Sequence, residues 1–425
     1  MAFALSFEQA PPISVPYRFF VTAPLFGVAA GLFVVWQGGE VFETRGTFPA
    51  LALTHLITLG FMMQVMCGAL LQVSPVAAGA NVWCPRCVAW IGHAGLAAGS
   101  IALASGLAME HTGLLRIAAP VLIGAMAFYS LVVLIALMRT PARGASIEAL
   151  RLAVGGLVVT VGLGALLAAA FGWGLPVPVA QLTSVHAAWA IFGWSFTLVI
   201  GVSYLTVPMF QLTPPYPKRL SFWLPRALVM GLSVWSAVVL AEGPVALRAA
   251  SGLLIVACAA TYAATTLRLQ QKRRRKISDV TMLYFRTAMI SMLGAAALAP
   301  AIAVAEGELR ARFEIAFGIV LLIGFFVSVI NGMLYKIVPF INWLHLQKRM
   351  AIPPTMNQMI DDEQMRRQLG IHLAALACLV AAVVWPPLAY PAGLLFAVSC
   401  GWLEWNIVRA IRLTMRLARA AKGTE

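Results

Sequence analysis

Twelve apolar runs, each long enough to cross about 30 Å of hydrocarbon as a helix, set the first constraint on this chain. They lie at residues 19–39, 48–73, 87–109, 114–138, 148–174, 181–209, 222–241, 245–267, 282–305, 313–339, 369–388 and 389–414. A backbone in lipid must satisfy its own polar groups, and an open segment of this length does so only as a helix. The composition agrees, with 61% hydrophobic and 11% charged residues, where soluble chains carry about a quarter charged residues. The fold class that follows is all-α: a polytopic membrane protein with one twelve-helix transmembrane domain over 1–425. One connection, at about 341–369, is long enough to hold structure of its own. It contains Pro353-Pro354 and the stretch Asp361-Asp362-Glu363-x-x-Arg366-Arg367 and reads as a loop with a short surface helix.

The net charge of +15 sits in short loops on alternate sides of the runs, so it reports orientation rather than a nucleic-acid partner. Arg139, Arg143 and Arg151 flank one turn, Lys218, Arg219 and Arg226 the next of the same parity, and Arg268 with Lys272 to Lys276 another. Lys348, Arg349, Arg366 and Arg367 continue the series, and Arg409, Arg412, Arg416, Arg419 and Lys422 close it. The opposite loops carry Glu40, Glu43, Glu242, Glu306 and Glu308. Both termini are therefore expected in the cytoplasm.

The first fifteen residues lack Lys and Arg, and the first apolar run is long enough to stay in the membrane, so no cleaved signal peptide is expected. Cys67, Cys258, Cys378 and Cys400 lie inside apolar runs, and Cys84 and Cys87 fall on the expected reducing side. This pattern offers no disulfide framework. No internal repeat is visible by eye.

An ionisable group inside a membrane span is a functional hypothesis by default. His55 begins the second run and His186 the sixth; both runs point inward, which places both imidazoles in the outer leaflet beside His111. His93, His345 and His372 fall toward the cytoplasm. At 100° per residue, His55 shares a face with Leu59, Met62 and Met66, a stripe that could line a heme or take Cu(I); as packing, the two methionines fill core gaps. His186 stands over Gly193, Thr197 and Tyr204, where a glycine leaves room for a macrocycle or a close helix and the hydroxyls could carry protons. The segment Trp83-Cys84-Pro85-Arg86-Cys87, followed by His93, offers a soft-metal site or a redox disulfide. It lacks the histidine directly after the second cysteine that covalent heme attachment uses, and two cysteines alone leave a zinc site incomplete. Arg286, Lys336 and Glu404 lie within runs near the cytoplasmic side, and a Glu404 salt bridge to Arg286 or Lys336 is the economical expectation, with snorkelling as the structural reading.

The second run resembles the NnrS proteins, twelve-span bacterial membrane proteins associated with heme, copper and the response to nitric oxide. These in turn look like distant relatives of the catalytic subunit of heme-copper oxidases and nitric oxide reductases. The carrying residues are His55, Gly60, Phe61, Gly68, Leu70, Leu71 and Pro75, with the opening Tyr17-Arg18-Phe19-Phe20 in support, over about sixty residues. The resemblance implies an oxidase subunit I-like bundle in a bacterial inner membrane. It also implies that His55 would ligate heme and that His186 would fall at the depth of a copper ligand. The family's further histidine and glutamate around the first are Leu53 and Leu56 in this chain. No histidine lies between 187 and 344, and the outer half of the tenth run, about 312–325, has no histidine, methionine or cysteine.

A complete binuclear centre cannot be assembled from these residues, which argues against oxygen reduction and leans away from an enzyme. The leading expectation is a heme b or copper protein with His55 and His186 as ligands, serving electron transfer, gas binding or metal handling. The alternative is a cofactor-free permease, with His55, His186, Tyr204 and Glu404 along a proton or solute path. A structural subunit of a respiratory complex is a further alternative. The expected partners are the bilayer and, on these readings, a respiratory-chain protein or a second copy of the chain.

Overall fold

The structure is a computed structural model, and it describes residues 7–274 and 279–422. Arg275 and Lys276, counted above in a basic loop, lie outside the described residues, as does the Lys422 side chain. Among the described residues there is no strand. Long helices occupy the expected runs: α1 Ser14–Gln37, α2 Phe48–Ala78, α3 Pro85–Ala108, α4 Thr112–Arg139, α5 Ala145–Trp173 and α6 Val179–Gln211. They continue with α7 Lys218–Leu240, α8 Val245–Gln271, α9 Val280–Val304, α10 Gly307–Gln347, α11 Asp362–Ala382 and α12 Ala389–Lys422. The chain is an all-α, multi-pass membrane protein.

Eleven of these helices are long and apolar enough to cross a membrane. The exception is α11, expected as a span at 369–388. Its first turns carry Asp362, Glu363, Arg366 and Arg367, so its apolar part begins near Leu369 and rises only about 21 Å before the helix ends. Residues 386–388 then form a 3₁₀ turn that opens α12. The expected loop at 341–369 is also shorter than read, because α10 runs on to Gln347 without a breaker. What remains holds a single helical turn, Met356–Met359, started by a capping box between Thr355 and Gln358.

Helix starts follow local chemistry. The Thr47 hydroxyl accepts from the Ala50 amide at the head of α2, the Asp279 carboxylate accepts from Met282 at the head of α9, and His111 Nδ1 accepts from Leu114 at the head of α4. Each meets one of the orphan amides of a first turn.

The helices cluster into two compact units: Met1–Arg18 with Met66–Arg275, and Phe19–Val65 with Lys276–Glu425. In the first, Tyr129 on α4 donates to the Cys67 carbonyl at 2.7 Å, and Arg116 donates to the Gly172 carbonyl at 2.6 Å. In the second, α1 and α12 meet backbone to backbone at Gly31 and Gly393, where a Cβ on Gly31 would stand 2.6 Å from the Gly393 carbonyl oxygen. Small residues permit such close approach in helices that gain little from hydrophobic burial in lipid.

A repeat not apparent by eye emerges from the backbone. Among the described residues, three helices contain an eight-residue π-helical segment: Leu56–Met63 in α2, Trp189–Phe196 in α6 and Val320–Val327 in α10. Each segment has a glycine at its fifth position, Gly60, Gly193 or Gly324, followed eight residues later by Gly68, Gly201 or Gly332 and seven later by Pro75, Pro208 or Pro339. The motif therefore recurs in every fourth helix, always in the same register and chain direction, a direct rather than inverted repeat. The helix before each one fits against the turn. A Cβ on Gly60 would overlap the Phe26 ring of α1, one on Gly156 of α5 would overlap the Gly193 carbonyl, and one on Gly324 would stand 2.6 Å from Ser291 Oγ of α9.

Candidate functional site

Four residues after each of these glycines stands a buried polar side chain: Gln64, Thr197 and Ser328. A π segment leaves backbone carbonyls displaced from their α-helical partners. Thr197 donates to the Phe192 carbonyl at 2.7 Å and Ser328 to that of Ile323 at 3.4 Å, each five residues back. Gln64 differs. Its carboxamide is fully buried, and neither its nitrogen nor its oxygen has a hydrogen-bond partner.

His55 sits at the lip of the first π segment. Its Nδ1 donates to the Leu51 carbonyl at 2.8 Å, which fixes the tautomer and leaves the Nε2 lone pair as the acceptor face of the ring. Five residues before the glycine, the other two repeats carry Ala188 and Ile319. The scaffold position is thus apolar twice and ionisable once. His186 Nδ1 lies 3.2 Å from the Thr160 carbonyl, and a Cβ on Gly164 would stand 3.1 Å from its Cε1. His186 is therefore packed on α5.

The two stripes expected from α-helical phase are displaced. Each i→i+5 turn takes in one more residue than an α turn, so His55 does not continue in phase to Met62 and Met66, nor His186 to Gly193, Thr197 and Tyr204. Met62 and Met66 are buried packing groups. Gly193 serves the close contact with Gly156. Tyr204 belongs to a tyrosine group in the first unit, its ring centroid 5.0 Å from that of Tyr216, which stacks on Tyr262 at 6.3 Å. Tyr262 and Ser203 hydroxyls are 2.7 Å apart, Tyr216 and Thr266 hydroxyls 2.8 Å, and the Tyr204 hydroxyl is buried with no partner.

Cys84 and Cys87 are joined as a disulfide, so these sulfurs are not available as thiolate ligands beside His93. Among the described residues no three His, Cys, Asp or Glu side chains come together as a metal site.

The intramembrane charges in the second unit pair differently from expectation. Lys336 donates to Asp279 at 3.0 Å, a partner supplied by the N-cap of α9 rather than by a span. The Asp279 carboxylate also accepts from the Thr281 hydroxyl at 2.7 Å and the Met282 amide at 3.0 Å. Burial pushes its pKa up, but the Lys336 charge together with these hydrogen bonds outweighs burial and holds it below the ordinary carboxylate value. Arg286 is half-buried, and Glu404 pairs with neither cation; its Oε2 is buried without a partner.

A polar cluster that sequence reading passed over lies in the same unit. His372 of α11 is fully buried, with Nε2 2.8 Å from Ser328 Oγ and Nδ1 unpartnered. Its ring is 5.9 Å from that of Tyr284, whose hydroxyl is also buried and unpartnered, and Tyr284 is 6.1 Å from Tyr335. Asn406 of α12 donates to the Tyr335 hydroxyl at 2.9 Å. Buried polar groups left without partners are costly, about 1–3 kcal/mol each. Both such atoms in this cluster lie on neighbouring helices, on His372 of α11 and Tyr284 of α9. The available signal was a histidine on the apolar stretch of α11, with a hydroxyl or amide on each neighbouring helix.

Fold and site together define a polytopic helical membrane protein, with a π-turn motif repeated in every fourth helix and one repeat carrying a tautomer-fixed histidine. No protein-family model matches the chain, and no curated protein matches it either.

Proposed function

We propose that this is an inner-membrane b-type heme protein of a bacterium, similar to the NnrS and heme-copper oxidase group, in which His55 is the protein's axial ligand. The observation that supports it is His55 itself: Nδ1 is held by the Leu51 carbonyl, the arrangement that metal-ligating histidines use to orient Nε2. Only one of three equivalent scaffold positions carries it. A packing role would be expected to recur at Ala188 and Ile319, where none is found.

The residues fit heme with one protein ligand and do not fit copper, which takes several imidazole or sulfur donors. The position in α10 equivalent to His55 is Ile319, so no second imidazole comes from that repeat. Heme held by one imidazole would supply gas-binding chemistry, such as a nitric oxide response, rather than simple electron transfer. The chain's own part is to hold one imidazole, with the unpartnered Gln64 carboxamide one turn beyond Gly60.

Purified protein should show a Soret band and a carbon monoxide difference spectrum, and His55→Ala should abolish both. Protein with no Soret band, or a mutant with unchanged heme content, would sink the reading. A second reading, proton or polar-solute conduction, is favoured by the His372, Ser328, Tyr284, Tyr335 and Asn406 cluster; proton uptake into proteoliposomes that His372→Leu removes is its test. The basic loops, and the meeting of the start of α11 with the end of α12 at one cleft, support cytoplasmic termini, which a fluorescent C-terminal GFP fusion would check.

A further inference from the structure

The last transmembrane helix ends in a run of arginines, and three of them are arranged around a cavity. From Ala389, about 20 residues of α12 use up the hydrocarbon thickness, so the helix leaves the apolar core near Val408. Arg409, Arg412 and Arg416 follow at i, i+3 and i+7, on one face. They line a cleft of about 400 Å³ closed on its other side by Gln358, Asp361 and Gln364, from the Met356–Met359 turn and the start of α11. Trp405, 62% exposed, stands at its edge at the depth where tryptophan marks the membrane interface.

Among the described residues these three guanidiniums form no ion pair or hydrogen bond with the protein. Several arginines elsewhere are engaged, Arg45 with Glu314, Arg151 with Glu148 and Arg312 with Glu308; what sets Arg409, Arg412 and Arg416 apart is that they converge on one cleft. Orientation requires basic residues near the helix end, but it does not require them to converge on a cavity. Arg419 is exposed and lies outside the cleft. The single carboxylate, Asp361, leaves the cleft net positive, and the two glutamines add neutral donors. Planar guanidiniums match phosphate oxygens in bidentate pairs, and basic pockets at the headgroup level hold acidic lipid headgroups.

We propose that this cleft binds a phosphate-bearing anion, either the headgroup of an acidic phospholipid or a soluble phosphate. Full-length protein in detergent is titrated with phosphatidylglycerol, with phosphatidylcholine of the same chains, and with inorganic phosphate against sodium chloride at matched ionic strength. Native mass spectrometry reads retained lipid, and the unfolding temperature reads stabilisation. Phosphatidylglycerol should be retained and stabilising where phosphatidylcholine is not. Arg412→Gln should weaken binding about tenfold, the triple Gln variant at 409, 412 and 416 should abolish it, and Arg419→Gln should leave it unchanged. Stabilisation by inorganic phosphate with the same arginine dependence would assign the source to a soluble phosphate. Equal response to both lipids with no phosphate effect beyond chloride overturns the site. So does retained binding in Arg412→Gln, which, as an exposed substitution, leaves the core intact, or an equal loss in Arg419→Gln.

Discussion

Replacing Asp279 tests the structural role of the charge pair at the head of α9. Asp279 performs two tasks with one carboxylate: it caps the helix through the Met282 amide at 3.0 Å and pairs with Lys336 Nζ at 3.0 Å. Asparagine caps as well as aspartate, so Asp279→Asn isolates the ion pair, whereas Asp279→Ala removes both. The pair's side chains are 13% and 17% exposed, between the exposed limit of about 0–1 kcal/mol and the buried limit of about 3–5 kcal/mol for losing one partner. We expect Asp279→Asn to cost about 2 kcal/mol and Asp279→Ala about 1 kcal/mol more. Lys336→Met in the Asp279→Asn background should recover part of the loss by removing the stranded cation. Because the folded carboxyl is held below its unfolded value, its contribution is complete at neutral pH. It is lost only as pH falls from the unfolded value near 4 through the lower folded one. Reversible unfolding in SDS, followed by tryptophan fluorescence, measures each difference. Wild-type stability in Asp279→Asn, or strictly additive effects in the double mutant, would refute the coupling.

The π-turn glycines should be intolerant. Gly60→Ala drives a Cβ into Phe26 and is expected to cost about 1–3 kcal/mol, while Gly124→Ala, with nothing within 4 Å, should be neutral or stabilising by up to about 1 kcal/mol; equal melting shifts would contradict the close fit. Ser328→Ala strands a buried imidazole and should destabilise by about 1–3 kcal/mol, more than His372→Leu, which removes the polar group itself. The reverse order in SDS titrations would count against the pairing. Maleimide labelling of denatured protein should modify four cysteines without reductant and all six after reduction; six labels in both conditions would show Cys84 and Cys87 to be thiols.

The chain's apolar pattern places the helices. Hydropathy is local, so runs such as 245–267 and 282–305 identify α8 and α9 to within a few residues, and the constraint against open backbone in lipid does the rest. It also singled out His55, because an ionisable group in an apolar run is conspicuous wherever it packs. The π-turn motif was present in the chain, but among 35 glycines and 24 prolines its spacing had no contrast until the backbone showed three turns in one register. Which groups meet depends on how the helices pack. Lys336 takes Asp279 from a helix cap rather than Glu404 from a span, and His372, read only as lying toward the cytoplasm, meets Ser328. Gly193 receives Gly156 rather than a macrocycle. Each of these pairings joins residues distant in the chain, and their geometry depends on helix phase, which a π segment rotates without leaving a mark in hydropathy.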